Sequence, residues 1–265
     1  MNTASFVPVH MTLCGKGGVG KSVIARMLTE YLIDRGGAPL AFDSDPVNAS
    51  FAAVEAFDVK RVDLIDADQK INPRRFDKMV LDILESGRPS VIDTGASSFV
   101  ALMNYMRELG LAETFRGEGH ELFLHVPIAG GPSMPFTIEN FGDVCSAFGS
   151  HAGVVVWLNH FWERIELGGK PFDEWQIRRQ HRDVIRAIVE IQRMSSDTSA
   201  QDFTALLKSN RSFAEAAGPD SPFHLLSRSR LRRIRQILFD GMDSAFAAVD
   251  AGRTVAVEAD TEVSG

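Results

Sequence analysis

The sequence predicts one doubly wound α/β domain, with a mostly parallel sheet and helices on both faces. Three observations predict it. Short apolar runs alternate with amphipathic stretches of helical period. A glycine-rich segment ending in Lys-Ser lies between the first run and the first helix. Acidic residues close later runs, at the strand ends where a parallel sheet opens its ligand crevice.

The elements follow in order. Val9 to Cys14 reads as a buried strand that ends at glycines. A helix from Lys21 to Arg35 carries Ile24, Leu28, Tyr31 and Leu32 on one stripe and stops at Gly36-Gly37. Pro39 to Phe42 is a second strand leading to Asp43, and Lys60 to Ile65 a weaker third. Pro73 opens a helix bearing Phe76, Met79, Val80 and Ile83, which Gly87 closes. Strand Ser90 to Asp93, helix Phe99 to Leu109, strand Leu122 to Val126, helix Pro132 to Phe148 and strand Gly153 to Leu158 repeat the alternation. Asn159 to Pro171 reads as a surface loop, Asp173 to Arg182 as a helix, Ile185 to Ile191 as a strand and Ser195 to Ala200 as a loop. Phe223 to Val249 is a long helical pattern. We expect residues 1–251 to form one phosphate-loop domain and residues 252–265 a disordered tail.

Composition narrows the function. The chain has 265 residues, 45% hydrophobic and 24% charged, with a net charge of −7. That excludes a disordered or coiled-coil class, and a globally basic nucleic-acid coat. Two cysteines, Cys14 and Cys145, build no disulfide framework or four-cysteine zinc site, and we expect both in the core. Met1 to Pro8 lacks the basic-then-apolar order of a secretory leader. The longest dense apolar run, Val154 to Leu158, is far short of a bilayer span. A cytoplasmic protein without an integral membrane segment is the expectation. His10, His120, His125, His151 and His160 lack metal-ligand spacing.

Gly15-Lys16-Gly17-Gly18-Val19-Gly20-Lys21-Ser22 satisfies G-x-x-x-x-G-K-S in the strand-to-helix context that gives the pattern its meaning. Glycines let successive backbone N–H groups turn inward around phosphate oxygens, and the helix N-terminus adds its positive dipole end. The pattern predicts a P-loop NTPase that binds ATP and Mg²⁺, with Lys21 bridging the β- and γ-phosphates and the Ser22 hydroxyl on the metal. Val91-Ile92-Asp93-Thr94-Gly95 brings an acid to a strand end before a small loop, so Asp93 is the second candidate Mg²⁺ residue. Asp43-Ser44-Asp45-Pro46 sets two more acids after the second strand, Asp43 for the Mg²⁺ shell or a structural role.

With its extra lysine, Lys16, the loop resembles the deviant phosphate loop of the ParA/MinD ATPases. The resemblance implies an ATP-dependent homodimer in which Lys16 reaches the phosphates held by the partner subunit. It implies that Asp45 orients the attacking water and that Asn159 contacts adenine. Asp43 to Phe51, Ile92 to Val100, Gly119 to Leu122 and Val155 to Asn159 resemble more closely a branch of the family that serves plasmid conjugal transfer. The likeness runs from about Met11 to Phe246. It implies an ATPase switch acting with a conjugation or relaxosome protein. A plasmid partition or DNA-positioning ATPase is the alternative; Val47 and Asn48 stand where partition ATPases usually carry a glutamine, which weighs against the partition role. A phosphate loop also suits a nucleotide-switched adaptor with negligible hydrolysis, or a small-molecule kinase. Arg228, Arg230, Arg232, Arg233 and Arg235 crowd one segment of the Phe223 to Val249 helix, which suits DNA phosphate contact, contact with an anionic membrane surface, or a solvated basic face.

Overall fold

The computed structural model describes residues 6–262 except 67–70, 73, 162, 195 and 196, and side chains as far as residue 247. Seven strands form one sheet: β1 (Val7–Thr12), β2 (Leu40–Ser44), β3 (Lys60–Arg61), β4 (Ser90–Thr94), β5 (His120–Ala129), β6 (Gly153–Asn159) and β7 (Ile185–Ile191). Their order is β3-β2-β4-β1-β5-β6-β7, and every neighbouring pair is parallel. Between and after them run α1 (Lys21–Asp34), α2 (Arg75–Ser86), α3 (Phe99–Leu109), α4 (Leu111–Gly117), α5 (Met134–Phe148), α6 (Gln176–Gln180), α7 (Asp197–Lys208), α8 (Phe213–Ala217) and α9 (Leu225–Glu262). This is the doubly wound P-loop fold.

The sheet buries both faces, so its strands are apolar throughout and the period of two divides them between two cores. Met11, Ile92, Leu124, Val126, Val154 and Val156 point to the core under α2, α3, α4 and α5. Val91, Phe123, Val155, Trp157 and Val189 point to the other, against α1, α7, α8 and α9. Central β1 has β4 on one side and β5 on the other, and the chain reverses its direction of winding there. The carboxyl ends of β1, β2, β4, β6 and β7 therefore lie around one crevice, which is where ligands bind in open parallel sheets.

Several boundaries differ from the sequence expectation. Ser195–Ala200 reads as a loop, but α7 starts at Asp197; its polar first turn hides a helix whose Phe203 and Leu206 are buried. The helix expected over Asp173–Arg182 is broken. A 3₁₀ turn, Phe172–Glu174, precedes α6, because Trp175 is extended with its indole N–H bonded to the Lys170 carbonyl. β5 runs past Val126 through Pro127; β1 ends opposite His125, so Pro127 has a strand on one side only. Residue Pro73, the expected start of α2, lies outside the described residues. Over the expected tail a helical backbone is described to Glu262.

Candidate nucleotide-binding site

The loop after β1 opens a cavity of about 480 Å³. Gly17, Gly18, Gly20, Lys21 and Ser22 line its floor, and Asp45, Ala96 and Ser97 one side. Phe161, Ile191, Phe203 and Leu207 form an apolar wall opposite. Thus the polar end faces the N-terminus of α1, and the apolar end is built by the strand ends of β6 and β7 with α7.

Hydroxyls stitch the strand ends that carry the acids. Thr12 Oγ1 donates to Asp93 Oδ1 at 2.9 Å, Thr94 Oγ1 to the Thr12 carbonyl at 2.7 Å, and Ser44 Oγ to the Asp93 carbonyl at 2.9 Å. Asp93 is fully buried, and its second oxygen, Oδ2, has no hydrogen-bond partner among the described residues. Burial pushes this carboxyl up to about 7, against the nearby Ser22 hydroxyl and with reinforcement from the Asp43 charge. A buried carboxylate oxygen lacking a partner, beside a serine hydroxyl at a phosphate loop, fits a divalent cation that binds one carboxylate, one hydroxyl and ligand phosphates.

Lys21 is buried, and its ammonium donates to the Lys16 carbonyl at 3.1 Å. Desolvation lowers its pKa, opposed by Cys14 and then by Asp93 and Asp45. Burial likewise pushes the neighbouring Cys14 thiol up. Lys16 takes another direction. Its ammonium lies over the Phe136 ring, 5.2 Å from the centroid, and it does not line the cavity.

Asp43 pairs with Asp93 across β2 and β4. One of its oxygens accepts from the Asp45 N–H at 3.1 Å and the other from the Ala52 N–H at 2.9 Å. Burial raises its pKa, and those amides oppose the rise. Of the two roles expected for Asp43, the geometry displays the structural one: it folds the segment that carries Asp45. Asp45 Oδ1 accepts from the Val47 and Asn48 N–H groups at 2.8 and 3.1 Å, an Asx turn that keeps the carboxyl at the cavity edge. Gly95 serves the same turn. A Cβ there would stand 2.8 Å from Asp45 Oδ1 and 2.9 Å from Pro46 Cδ, so only glycine admits so close an approach.

Two E. coli proteins, each named Protein TraL, are 37% identical to this chain over 237 residues, 89% of this chain and 98% of their own length. The chain belongs to the TraL family. No protein-family model matches it. Among solved structures, the MinC:MinD cell division protein complex of Aquifex aeolicus aligns with a TM-score of 0.49 at 16% identity, covering 87% of this chain and 96% of that one. The cell division ATPase MinD of Pyrococcus furiosus aligns with 0.49 at 15% identity, covering 87% and 97%.

Asn159 of this TraL-family chain braces the phosphate loop. Its Nδ2 donates to the Val19 carbonyl at 3.0 Å, and its Oδ1 accepts from the Phe161 N–H at 3.1 Å. Residues that sequence reasoning missed complete the site. Asn140 Oδ1 on α5 accepts from the Gly15 N–H at 2.6 Å and from the Cys14 thiol at 3.2 Å. The buried Arg26 guanidinium joins the Ser50 carbonyl at 2.8 Å, the Leu207 carbonyl at 2.9 Å and Asn210 Oδ1 at 3.1 Å, so α1 ties both cavity walls together. No local pattern marks either residue. Their partners are remote in sequence.

The arginine-rich face of α9 is largely spent within the chain. Arg230 pairs with Asp202, and Arg232 donates to the Ala217 carbonyl at 2.7 Å. Arg235 pairs with Asp34, lies 3.6 Å from the Glu30 carboxylate, and stacks on Phe239 at 4.2 Å. Internal partners therefore account for much of the cluster that DNA contact would have to use. Among the described residues, no helix is long and apolar enough to cross a membrane.

Proposed function

We propose that this chain is a Mg²⁺-dependent ATPase of the ParA/MinD type that switches as an ATP-dependent homodimer in plasmid conjugal transfer, in the cytoplasm, on a conjugation or relaxosome protein. One domain, residues 1–251, carries the site. The single observation that supports this most is the convergence of the phosphate loop, the unpartnered Asp93 oxygen and the Asp45 turn on one cavity with an apolar wall.

In this reading the amides of residues 15–22 and the α1 N-terminus receive the phosphates. Lys21 exchanges its backbone carbonyl partner for β- and γ-phosphate oxygens, whose negative charge offsets the desolvation of the buried ammonium. Ser22 and Asp93 hold Mg²⁺, which when bound neutralises charge on the phosphates. Asp45, steadied by the Val47 and Asn48 amides, orients the attacking water. Lys16, directed away from its own cavity, meets the γ-phosphate held by the second copy, where developing charge is greatest. The apolar wall takes the nucleobase, with Asn159 at its edge beside the loop.

A second reading, a nucleotide-switched adaptor with negligible hydrolysis, has one observation in its favour: Asp45 already spends one oxygen on two amides. Sedimentation with ATP, with ADP and without nucleotide, alongside phosphate release, separates the two. ATP-dependent dimers with turnover support the ATPase. ATP-dependent dimers without phosphate release support the adaptor, and undiminished ATP affinity in Lys21→Ala rules out the site.

A further inference from the structure

Lys16 and the backbone beneath it are seated on one face of α5. Phe136 and Asn140 are four residues apart on that helix and so share a face. Asn140 fixes the chain as it leaves β1 by accepting the Gly15 N–H at 2.6 Å. One helical turn earlier, Phe136 presents its ring to the Lys16 ammonium at 5.2 Å. The platform is firmly held. Phe141, Val144 and Cys145 of α5 are buried, and Thr137 Oγ1 accepts from the Ala129 N–H at the end of β5, at 3.3 Å. The other side of the loop is held too, because Lys21 bonds the Lys16 carbonyl. With its backbone held from both sides, Lys16 has little left to choose but the direction of its side chain. The ring sets that direction away from the cavity that Gly17, Gly18, Gly20 and Lys21 line.

We propose that Phe136 is a positioning residue that holds Lys16 off the nucleotide of its own subunit and so reserves it for a second copy. The inference rests on the ATPase reading above. A cation over an aromatic face at a partly exposed site is favoured by a factor of roughly two to five. That is enough to bias a lysine between two positions, and weak enough for a partner's phosphates to draw it off. Replacing the ring by an aliphatic side chain therefore leaves Lys16 free to fold back toward its own phosphates.

The test is a cycle of Phe136→Leu, Lys16→Met and the double variant, titrated with ATP at dilution low enough to keep the chain monomeric. Phe136 is 55% exposed, so Phe136→Leu removes no core packing. ATP affinity is expected to rise about two- to fivefold when Phe136→Leu is made in the wild type, and not to rise when it is made on Lys16→Met. An unchanged affinity in Phe136→Leu, or a gain that survives Lys16→Met, overturns the proposal. A direct reading comes from the Lys16 εCH₂ proton resonances, assigned through Lys16→Met. The ring is expected to displace them upfield in the wild type, and Phe136→Leu to return them to ordinary lysine positions; ordinary positions in the wild type also overturn it. Failure of the underlying reading looks different: full ATP turnover by Lys16→Met denies Lys16 a role at the partner's phosphate, whatever its resonances show.

Discussion

Gly20, the residue before α1, has φ +106°, and a Cβ built on it would stand 2.8 Å from Asn159 Nδ2. Asn159 Cγ, at 3.9 Å, is the other atom within reach. Gly20→Ala therefore does two separable things. It forces a side chain into left-handed backbone, at about 1–2 kcal/mol. It also pushes the Asn159 amide from two bonds, to the Val19 carbonyl and from the Phe161 N–H, each worth about 1 kcal/mol. The total is a loss of about 3–4 kcal/mol. Because one amide is the whole obstacle, Asn159→Ala removes the collision in advance. The double variant is expected to be about 2 kcal/mol more stable than the sum of the single losses predicts, because the same two bonds are lost in each single variant. Gly17→Ala is the control, since no atom lies within 4 Å of its Cβ, and it should change stability little. Urea unfolding followed by the fluorescence of the buried Trp157 and Trp175 measures the four variants against the wild type. Additive losses, or a Gly20→Ala as stable as the wild type, would refute the clasp between Asn159 and the loop.

Burial pushes the Asp93 carboxyl up to about 7 in the folded chain, above the ordinary carboxylate value of the unfolded one. Between those values the folded chain holds the extra proton, so stability falls as pH rises from about 4 to 7. Asp93→Asn should flatten that slope in denaturation curves at pH 5 and 8 without Mg²⁺, gaining up to about 4 kcal/mol at pH 8. It should also lose Mg²⁺-dependent nucleotide binding. His125 works in the opposite sense: burial and then His10 depress it, so its contribution is lost as pH falls below the unfolded histidine value, and His125→Gln should weaken acid sensitivity in thermal melts between pH 5 and 7. Arg26→Met frees three acceptors and should cost about 2–4 kcal/mol in urea unfolding, with weaker ATP binding because Ser50 lines the cavity. Asn140→Ala strips the Gly15 N–H of its acceptor and should destabilise by about 1–2 kcal/mol, with a raised ATP Kd read by calorimetry.

Much of the crevice was legible from residue order. Strand, glycines and helix at 15–22 are neighbours in sequence, so their geometry is local. Asp93 and Asp43 were legible for a related reason: a parallel strand delivers its carboxyl end to the crevice whatever lies beside it. Less was legible where the backbone obeys a distant side chain. The polar start of α7 reads as loop, and becomes helix because Phe203 and Leu206 find a core made by α9 and α8. The histidines lack any ligand spacing, yet His10 and His125 meet at 2.9 Å because β1 and β5 are adjacent. Trp157 donates to His125 Nδ1 at 2.8 Å, so His125 carries its proton on Nε2 and donates it to His10, and a buried polar chain is satisfied.

By itself the order of residues determined the alternation of strands and helices, the glycine-rich turn between β1 and α1 and the acids at strand ends, because periodicity and glycine content act over a few residues. Tertiary structure alone decided that Asn159 and Asn140 grip the loop from opposite sides, that α1 joins the cavity walls through Arg26, and that Lys16 leans on Phe136. Those contacts join segments far apart along the chain, and only the strand order of the sheet brings such segments within the reach of one side chain.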